Sequence, residues 1–101
     1  MYEIIQTTTN DENVVKSICR EILNKKLSLC IQTNKIESNY IWEDKECKEN
    51  EFLIIVKAKV ENKMDIIKII KRLSNYNVPE IISFAFKIET DEYDKWFNQY
   101  K

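Results

Sequence analysis

The sequence predicts an α+β domain over residues 1–101, in which helices pack on an antiparallel sheet. Three observations support this fold class. Segments of alternating apolar residues are typical of strands, and longer segments with apolar residues at helical spacing separate them. The length suits one domain, and 44% hydrophobic with 33% charged residues is enough for one core and a solvated surface.

The N-terminal part is predicted to form a strand over residues 2–7 and a helix over residues 11–26. Thr9 and Glu12 have the spacing of a capping box, which would mark the start of this helix. Lys25 and Lys26 suit its other end, where the helix dipole favours positive charge. The apolar face that we expect on the sheet contains Val14, Val15, Ile18, Cys19, Ile22 and Leu23.

A long hairpin is predicted next. Residues 27–33 and 36–42 should form one bent or interrupted strand, which a turn joins to a second strand over residues 45–59. The chain contains no glycine. Asp44 is therefore expected to adopt the left-handed conformation in the turn, which Asp tolerates better than most residues.

The C-terminal part is predicted to form a helix over residues 63–73, a strand over residues 80–88 and a last helix. Asn62 is expected to cap the first of these helices, and Thr90 the second. The last helix carries the aromatic stripe Tyr93, Trp96, Phe97 and Tyr100. The order βαββαβ with an extra C-terminal helix is the ferredoxin-like arrangement, in which both crossover helices pack on one sheet face.

Both faces of the predicted sheet are apolar, which indicates an oligomer. In the strand over residues 45–59, one face carries Phe52, Ile54, Val56 and Ala58, and the other carries Leu53 and Ile55. The last strand places Ile82, Phe84, Phe86 and Ile88 on one side. A monomer would expose one of these faces to water, so we expect subunits to associate through the sheet.

Composition excludes several classes of function. Without glycine or histidine the chain cannot contain a phosphate-binding glycine loop, a Ser-His-Asp triad or a histidine zinc site. The net charge of −1 gives no positive field for nucleic acid or an anionic membrane. The βαββαβ order also occurs in RNA-recognition domains, but residues 51–56 lack the aromatic and basic platform that those need. No apolar stretch is long enough to span a bilayer.

Cysteine usage indicates a reducing compartment. Cys19, Cys30 and Cys47 are odd in number and widely spaced, which fits neither a disulfide framework nor paired metal ligands. Cys19 and Cys30 should be buried, and Cys47 should be the one exposed thiol. The chain starts directly with a predicted strand, without a basic leader, so we expect a cytoplasmic protein.

Several groups of residues, in this order, match the motifs of one protein family. They are residues 27–31 (LSLCI), 38–45 (SNYIWEDK), 51–57 (EFLIIVK) and 76–81 (YNVPEI), followed by Tyr93 and Trp96. On these motifs the chain resembles the CutA divalent-ion tolerance family over essentially its whole length. The resemblance implies a tight homotrimer similar to the PII signalling proteins, with the sheets facing inward and the helices outside.

The resemblance also implies a role in tolerance to copper and other divalent cations, with a ligand-binding cleft between subunits. Carried over by motif, the cleft residues are Trp42, Glu43, Lys45, Glu51, Lys57, Tyr76, Pro79 and Glu80. Such a cleft suits a small polar ligand or a metal complex. Because Lys57 lies in an apolar strand, it should either reach solvent at the edge or pair with a carboxylate, for which Glu51 or Glu80 is the candidate partner.

The chain departs from the family where copper ligands are expected. In place of the cysteine and histidine associated with metal binding it has Gln6 and residues 74–75 (SN). Copper should therefore bind poorly by the usual route, since Cu(I) prefers thiolate and Cu(II) prefers imidazole. Oxygen ligands for a hard cation such as Mg²⁺ or Ca²⁺ could come from Glu43, Asp44, Glu46, Glu49 and Glu51.

Two functions follow from these observations. The leading expectation is a non-catalytic trimer that acts in divalent cation tolerance or in small-ligand signalling. The alternative is a small metal-assisted or acid-base enzyme at the cleft between subunits, with proton exchange by Glu43, Lys57, Tyr76 and Glu80. No certain cofactor is expected, and the ligand is left open.

Overall fold

The computed structural model describes residues 1–100 and has the predicted order of elements. Its strands are β1 (Tyr2–Thr9), β2 (Cys30–Trp42), β3 (Lys45–Lys59) and β4 (Ile81–Phe86). Its helices are α1 (Glu12–Asn24), α2 (Lys63–Leu73) and α3 (Asp91–Phe97), and a short 3-10 helix (Val60–Asn62) precedes α2. Neighbouring strands are antiparallel in the order β2-β3-β1-β4, which confirms the ferredoxin-like α+β fold.

Strand pairing explains where the predicted boundaries were wrong. The interruption expected in β2 is absent, because Asn34 and Lys35 pair with Leu53 and Phe52 of β3. The last strand stops at Phe86, since its partner β1 begins at the residue opposite, Tyr2. Helix α1 ends at Asn24, two residues earlier than predicted, so neither lysine extends its last turn.

Two of the three predicted helix caps differ in the structure. Asp11 caps α1 by accepting a hydrogen bond from the backbone N–H of Asn13 at 2.8 Å. Thr9 accepts one from the N–H of Asp11, so the predicted capping box is wrong. The Asn62 amide does not cap α2, because it donates to the carbonyl of Leu27. The hydroxyl of Thr90 accepts from the N–H of Tyr93, as predicted.

Helices α1 and α2 pack on one face of the sheet. The fully buried core residues are Ile5, Ile18, Ile22, Ile54, Val56, Ala58, Ile66 and Ile70. Most of the apolar face predicted for α1 lies on this core, but Leu23 is 39% exposed because it lies at the edge of that face. Within residues 1–100 no helix combines the length and the apolar character needed to cross a bilayer.

The opposite face of the sheet is also apolar, as predicted. The register places Ile4 between Lys57 of β3 and Phe84 of β4, so all three project to this side. Leu53 and Ile55 are half-buried, whereas Ile82 and Phe84 are each 48% exposed. We call these apolar residues, Ile4, Leu53, Ile55, Ile82 and Phe84, the open face.

Helix α3 covers one end of this side of the sheet. The ring of Phe97 is 3% exposed and lies 5.5 Å from the ring of Tyr2 and 6.2 Å from that of Phe86, measured between centroids. The hydroxyl of Tyr2 donates a hydrogen bond to Asp94. Phe97 therefore belongs to a small second core, while Trp96 stays 43% exposed.

The hairpin formed by β2 and β3 extends past the rest of the sheet. Strand β1 pairs with residues 52–59 of β3, whereas residues 45–51 pair only with residues 36–42 of β2. This part, residues 36–51, is here called the hairpin arm, and it contributes to a longest dimension of 47 Å against 25 and 21 Å. At its tip, Glu43 and Asp44 have φ of 51° and 65°, as a type I′ turn requires, which confirms the left-handed Asp44.

The cysteines are free thiols and all three are half-buried. Partial burial raises the pKa of the Cys19 thiol. The expectation that Cys47 alone is exposed is wrong, because its sulfur folds back to 3.7 Å from the carbonyl oxygen of Lys45.

We expect Ile70→Ala to lower the free energy of unfolding by about 2–5 kcal/mol, because it opens a cavity in the core under α2. Met64→Ala is the matched control on the same helix, since Met64 is 58% exposed, and it should change stability by less than about 0.5 kcal/mol. Denaturant unfolding at one fixed protein concentration measures the free energy of unfolding of both variants. Equal losses in the two variants would contradict the packing described above.

Candidate functional site

A cleft of about 610 Å³ lies between the hairpin arm and the loop over residues 74–80. Residues of the arm form one wall, and these are Ser38, Asn39, Tyr40, Trp42, Glu49 and Glu51. Residues of the loop form the other wall, with Thr8 between them, and these are Asn75, Tyr76, Asn77, Val78 and Glu80. The cleft exists because the arm leaves the sheet at the point where the loop crosses its end.

Strand geometry places the side chains of the arm in the cleft. Residues two apart along a strand share a face, so Tyr40 and Trp42 project to the same side. Across the ladder, Glu49 pairs with Ser38, and Glu51 follows two residues later on the same face. The arm therefore presents a row of aromatic and acidic side chains to the loop.

Glu51 and Tyr76 connect the two walls. The Tyr76 hydroxyl donates to Oε2 of Glu51 at 2.6 Å. Glu51 is 8% exposed, which makes it the most buried acidic residue of the cleft. A carboxylate in this position loses much of its hydration, and the phenol replaces part of it.

Glu49, also on the arm, is fixed by two hydrogen bonds. Its Oε1 accepts from the Tyr40 hydroxyl at 2.9 Å, and its Oε2 accepts from the Asn10 amide at 2.8 Å. Tyr40 and Glu49 are diagonal neighbours in the ladder, a separation that a long aromatic side chain spans.

The loop is fixed to the end of β1 by amide hydrogen bonds. Asn75 accepts from the Thr9 hydroxyl at 2.6 Å and donates to Asn10 at 2.8 Å. Glu80 accepts from the Gln6 amide at 3.2 Å. These contacts hold the loop wall in place relative to the sheet.

Hydrogen bonding to carboxylates keeps both phenols protonated. The bond to Glu49, followed by partial desolvation, raises the pKa of Tyr40 to about 12. Burial, followed by the bond to Glu51, raises the pKa of Tyr76 even further. At neutral pH each phenol is therefore a hydrogen-bond donor to its carboxylate.

The structure gathers four of the eight predicted cleft residues in this one-chain cleft, namely Trp42, Glu51, Tyr76 and Glu80. Glu43 and Lys45 lie at the tip of the arm, and Pro79 lies in the loop but outside the lining. Trp42 is 50% exposed at the mouth of the cleft.

Within one chain, Lys57 lies away from both candidate carboxylates. It lies opposite Cys30, six residues along β3 from Glu51, and its Nζ is 5.9 Å from the centre of the Tyr93 ring. Glu51 is bound by Tyr76 and Glu80 by Gln6, so an ion pair of either with Lys57 stays a prediction for the contact between subunits. Its charge is instead placed over an aromatic ring.

Sequence reasoning did not assign Tyr40 and Asn75 to the cleft, and it considered Glu49 only as a metal ligand. The two-residue alternation of a strand could have identified Tyr40 and Glu49. Tyr40 shares a face with Trp42, and Glu49 shares a face with Glu51. Asn75 carries no such signal, because a loop has no fixed period.

The donor atoms of the cleft are oxygens and amides. In the part of the chain that the structure describes, no three or more His, Cys, Asp or Glu residues are arranged to hold a metal ion. Gln6 and Asn75 occupy the positions where the resemblance places metal ligands, and both amides form hydrogen bonds that shape the cleft. The acidic residues at the tip, Glu43, Asp44 and Glu46, are exposed.

Known proteins share both the sequence pattern and the fold. The sequence model of a family described as CutA1 divalent ion tolerance protein matches residues 3–100. The divalent-cation tolerance protein CutA of Thermococcus kodakarensis is 31% identical over 93 residues, which are 92% of this chain and 89% of that protein. The solved periplasmic divalent cation tolerance protein CutA of Archaeoglobus fulgidus matches with a TM-score of 0.91 at 26% identity, covering 98% of this chain and 97% of that one. The solved divalent cation tolerance protein of Thermus thermophilus gives 0.89 at 25%, with coverage of 98% and 97%.

We expect two tyrosines of the cleft to ionise late in an alkaline titration. Because the folded pKa values of Tyr40 and Tyr76 lie above the ordinary 10.0, their hydrogen bonds contribute stability below pH 10, and this is lost as pH rises toward 12 and beyond. The absorbance of tyrosinate, followed as the pH of the folded protein is raised, measures the ionisation of these tyrosines. Tyr40→Phe and Tyr76→Phe should each remove one late-ionising group, and the denatured protein is the control. If Tyr76→Phe instead removed a tyrosine that ionises at the ordinary pKa, the result would contradict the hydrogen bond between Tyr76 and Glu51.

Proposed function

Because the chain belongs to the CutA1 divalent ion tolerance family, we propose that it acts in divalent cation tolerance as a non-catalytic homotrimer. In this assembly a neighbouring subunit would complete the one-chain cleft, so that it lies between subunits and receives a small ligand. The observation that carries the proposal is the open face, where Ile82 and Phe84 are each 48% exposed in one chain. Contiguous apolar surface of this kind marks a protein interface.

The hairpin arm supports the same assembly. At its end Ile41 is 73% exposed and Trp42 is 50% exposed, and β2 is an edge strand of the sheet. A long, unpaired and partly apolar edge is stabilised when another chain covers it. A neighbouring subunit that packs against the arm would bring Glu43 and Lys45 near a cleft.

A tolerance role without catalysis fits the chemistry of the cleft. The alternative enzyme would need Lys57 near Tyr76 and Glu80, and within one chain Lys57 lies instead over Tyr93, so a neighbouring subunit would have to supply it. Tyr76 is protonated at neutral pH like any phenol, and burial with the bond to Glu51 raises its pKa further, so it acts there as a donor and not as a general base.

Copper does not fit the residues of the cleft. Cu(I) prefers thiolate and thioether ligands and Cu(II) prefers imidazole, whereas the lining offers carboxylate, phenol, hydroxyl and amide groups. We therefore propose that tolerance does not depend on tight copper binding in this cleft. Free cysteines support a reducing compartment, and we place the protein in the cytoplasm.

We expect light scattering to give about three times the subunit mass of 12.2 kDa at micromolar concentration, because the open face is buried by association. Phe84→Glu should shift the protein to monomers, since it places a charge in that interface. Met64→Glu on the outer side of α2 is the control and should leave the trimer intact. A monomeric native protein would refute the assembly.

We also expect no stoichiometric tight copper complex in calorimetric titration. The control combines Cys19→Ala, Cys30→Ala and Cys47→Ser, because free thiolates bind copper wherever they occur and all three thiols are half-buried. A one-to-one complex per subunit that survives these substitutions would contradict the assignment of the donor atoms.

A further inference from the structure

A thiol and a phenol lie together under helix α3, away from the cleft. Cys30 is paired with Lys57 across the ladder of β2 and β3, so their side chains project to the same face of the sheet. The Nζ of Lys57 is 5.9 Å from the centre of the Tyr93 ring, which places the start of α3 over this pair. The group forms within one chain, and none of its three residues lines the cleft.

The backbone at Cys30 is fixed by a buried serine. Ser28 is 3% exposed, and its hydroxyl accepts from the N–H of Cys30 at 3.1 Å and donates to the carbonyl of Lys57. Cys30 itself is half-buried. The thiol is therefore held in a defined place under α3 and is still partly in contact with solvent.

The Tyr93 hydroxyl lies in this group without a good acceptor. Within the described residues 1–100, its oxygen is closed off from solvent and forms no hydrogen bond. The phenol is protonated at neutral pH, and burial, followed by the neighbouring Cys30 thiol, raises its pKa further. Sulfur is a weak acceptor, so the O–H group lacks the partner that a buried donor normally has. An oxygen atom bound to that sulfur would be such a partner.

We propose that Cys30 is a site of reversible oxidation by hydrogen peroxide, and that the Tyr93 hydroxyl donates a hydrogen bond to the oxygen of the sulfenic acid that forms. In this step the sulfur attacks one peroxide oxygen and the O–O bond breaks. The other oxygen leaves with the thiol proton as water, so the sulfur loses two electrons and the peroxide gains them. The inference goes beyond the proposed function and does not use the cleft.

No second cysteine reaches Cys30 within one chain. Cys19 lies on α1, on the other side of the sheet, and Cys47 is ten residues of extended strand from Lys57, or about 33 Å. A disulfide requires two Cα atoms within about 7 Å of each other. The sulfenic acid should therefore persist until two molecules of an external thiol reduce it, which yields the Cys30 thiol, water and the disulfide of the external thiol.

Dimedone trapping tests the site in the full-length protein, because dimedone adds to sulfenic acids and leaves thiols unchanged. The protein is treated with hydrogen peroxide, and the adducts at each cysteine are quantified by peptide mass spectrometry. We expect the adduct at Cys30 to form at least about tenfold faster than at Cys19 or Cys47, since an O–H donor without another partner lies beside Cys30. Dithiothreitol added before dimedone should abolish the adduct.

A variant of the phenol tests its role. Tyr93→Phe keeps the ring and removes the hydroxyl, and it should slow the oxidation of Cys30 about tenfold or more, because a hydrogen bond to the developing charge on oxygen is lost. Alkylation of Cys30 by iodoacetamide transfers no oxygen, so its rate should stay nearly the same. Tyr100→Phe is the matched control, since Tyr100 is 46% exposed and loss of its hydroxyl should change neither rate.

Several results would overturn the proposal. An adduct at Cys30 that forms no faster than that at Cys47, or no adduct because a neighbouring subunit shields the thiol, would refute the site. Unchanged oxidation in Tyr93→Phe, or equal slowing of oxidation and alkylation, would refute the role of the hydroxyl. A peroxide-dependent dimer on a non-reducing gel without a dimedone adduct would indicate a disulfide between chains instead. If Tyr93→Phe fails to fold, the comparison of the three cysteines in the unchanged protein still decides the proposal.

Discussion

The architecture depends on a mismatch of strand lengths. Strand β3 has fifteen residues and β1 has eight, so the first half of β3 has no neighbour but β2. The backbone groups of this half are satisfied inside the hairpin, which allows it to leave the sheet as an arm. The same mismatch creates one wall of the cleft and leaves an exposed strand edge, so the candidate site and the candidate interface have a common origin.

Glu51 occupies the junction that this mismatch produces. Thr9 pairs with Phe52, so Glu51 is the residue of β3 directly beyond the last pair with β1. At that point the side chain is enclosed by the end of the sheet and by the loop, and Tyr76 is within hydrogen-bond distance. The hydrogen bond from Tyr76 offsets part of the cost of enclosing a charged side chain there.

The spacing of apolar residues predicted the fold well, because burial in the core imposes that spacing on strands and helices. The bounds of β3 and α2 and the two apolar faces of β3 were correct, since alternation and helical spacing mark them directly. Caps were predicted less well, because Thr9 and Asp11 both offer oxygens near the start of α1 and only the folded backbone selects between them. Within one chain Lys57 does not reach Glu51, because six residues of extended strand separate the two by about 20 Å, and the order of motifs does not reveal this distance. The sequence marked Asn75 only as a position where the family has a metal ligand, and its hydrogen bond with Thr9 could not be predicted, since that follows from three-dimensional proximity.

The turn at the tip of the arm has an effect beyond the tip. Glu43 and Asp44 hold left-handed backbone angles without the freedom that glycine would give, and this turn type matches the right-handed coiling of the two strands that it joins. Trp42 and Lys45 flank the turn as a ladder pair, so the orientation of the indole follows the coiling. The position of the indole at the mouth of the cleft thus depends on the backbone angles of two acidic residues that lie outside the lining.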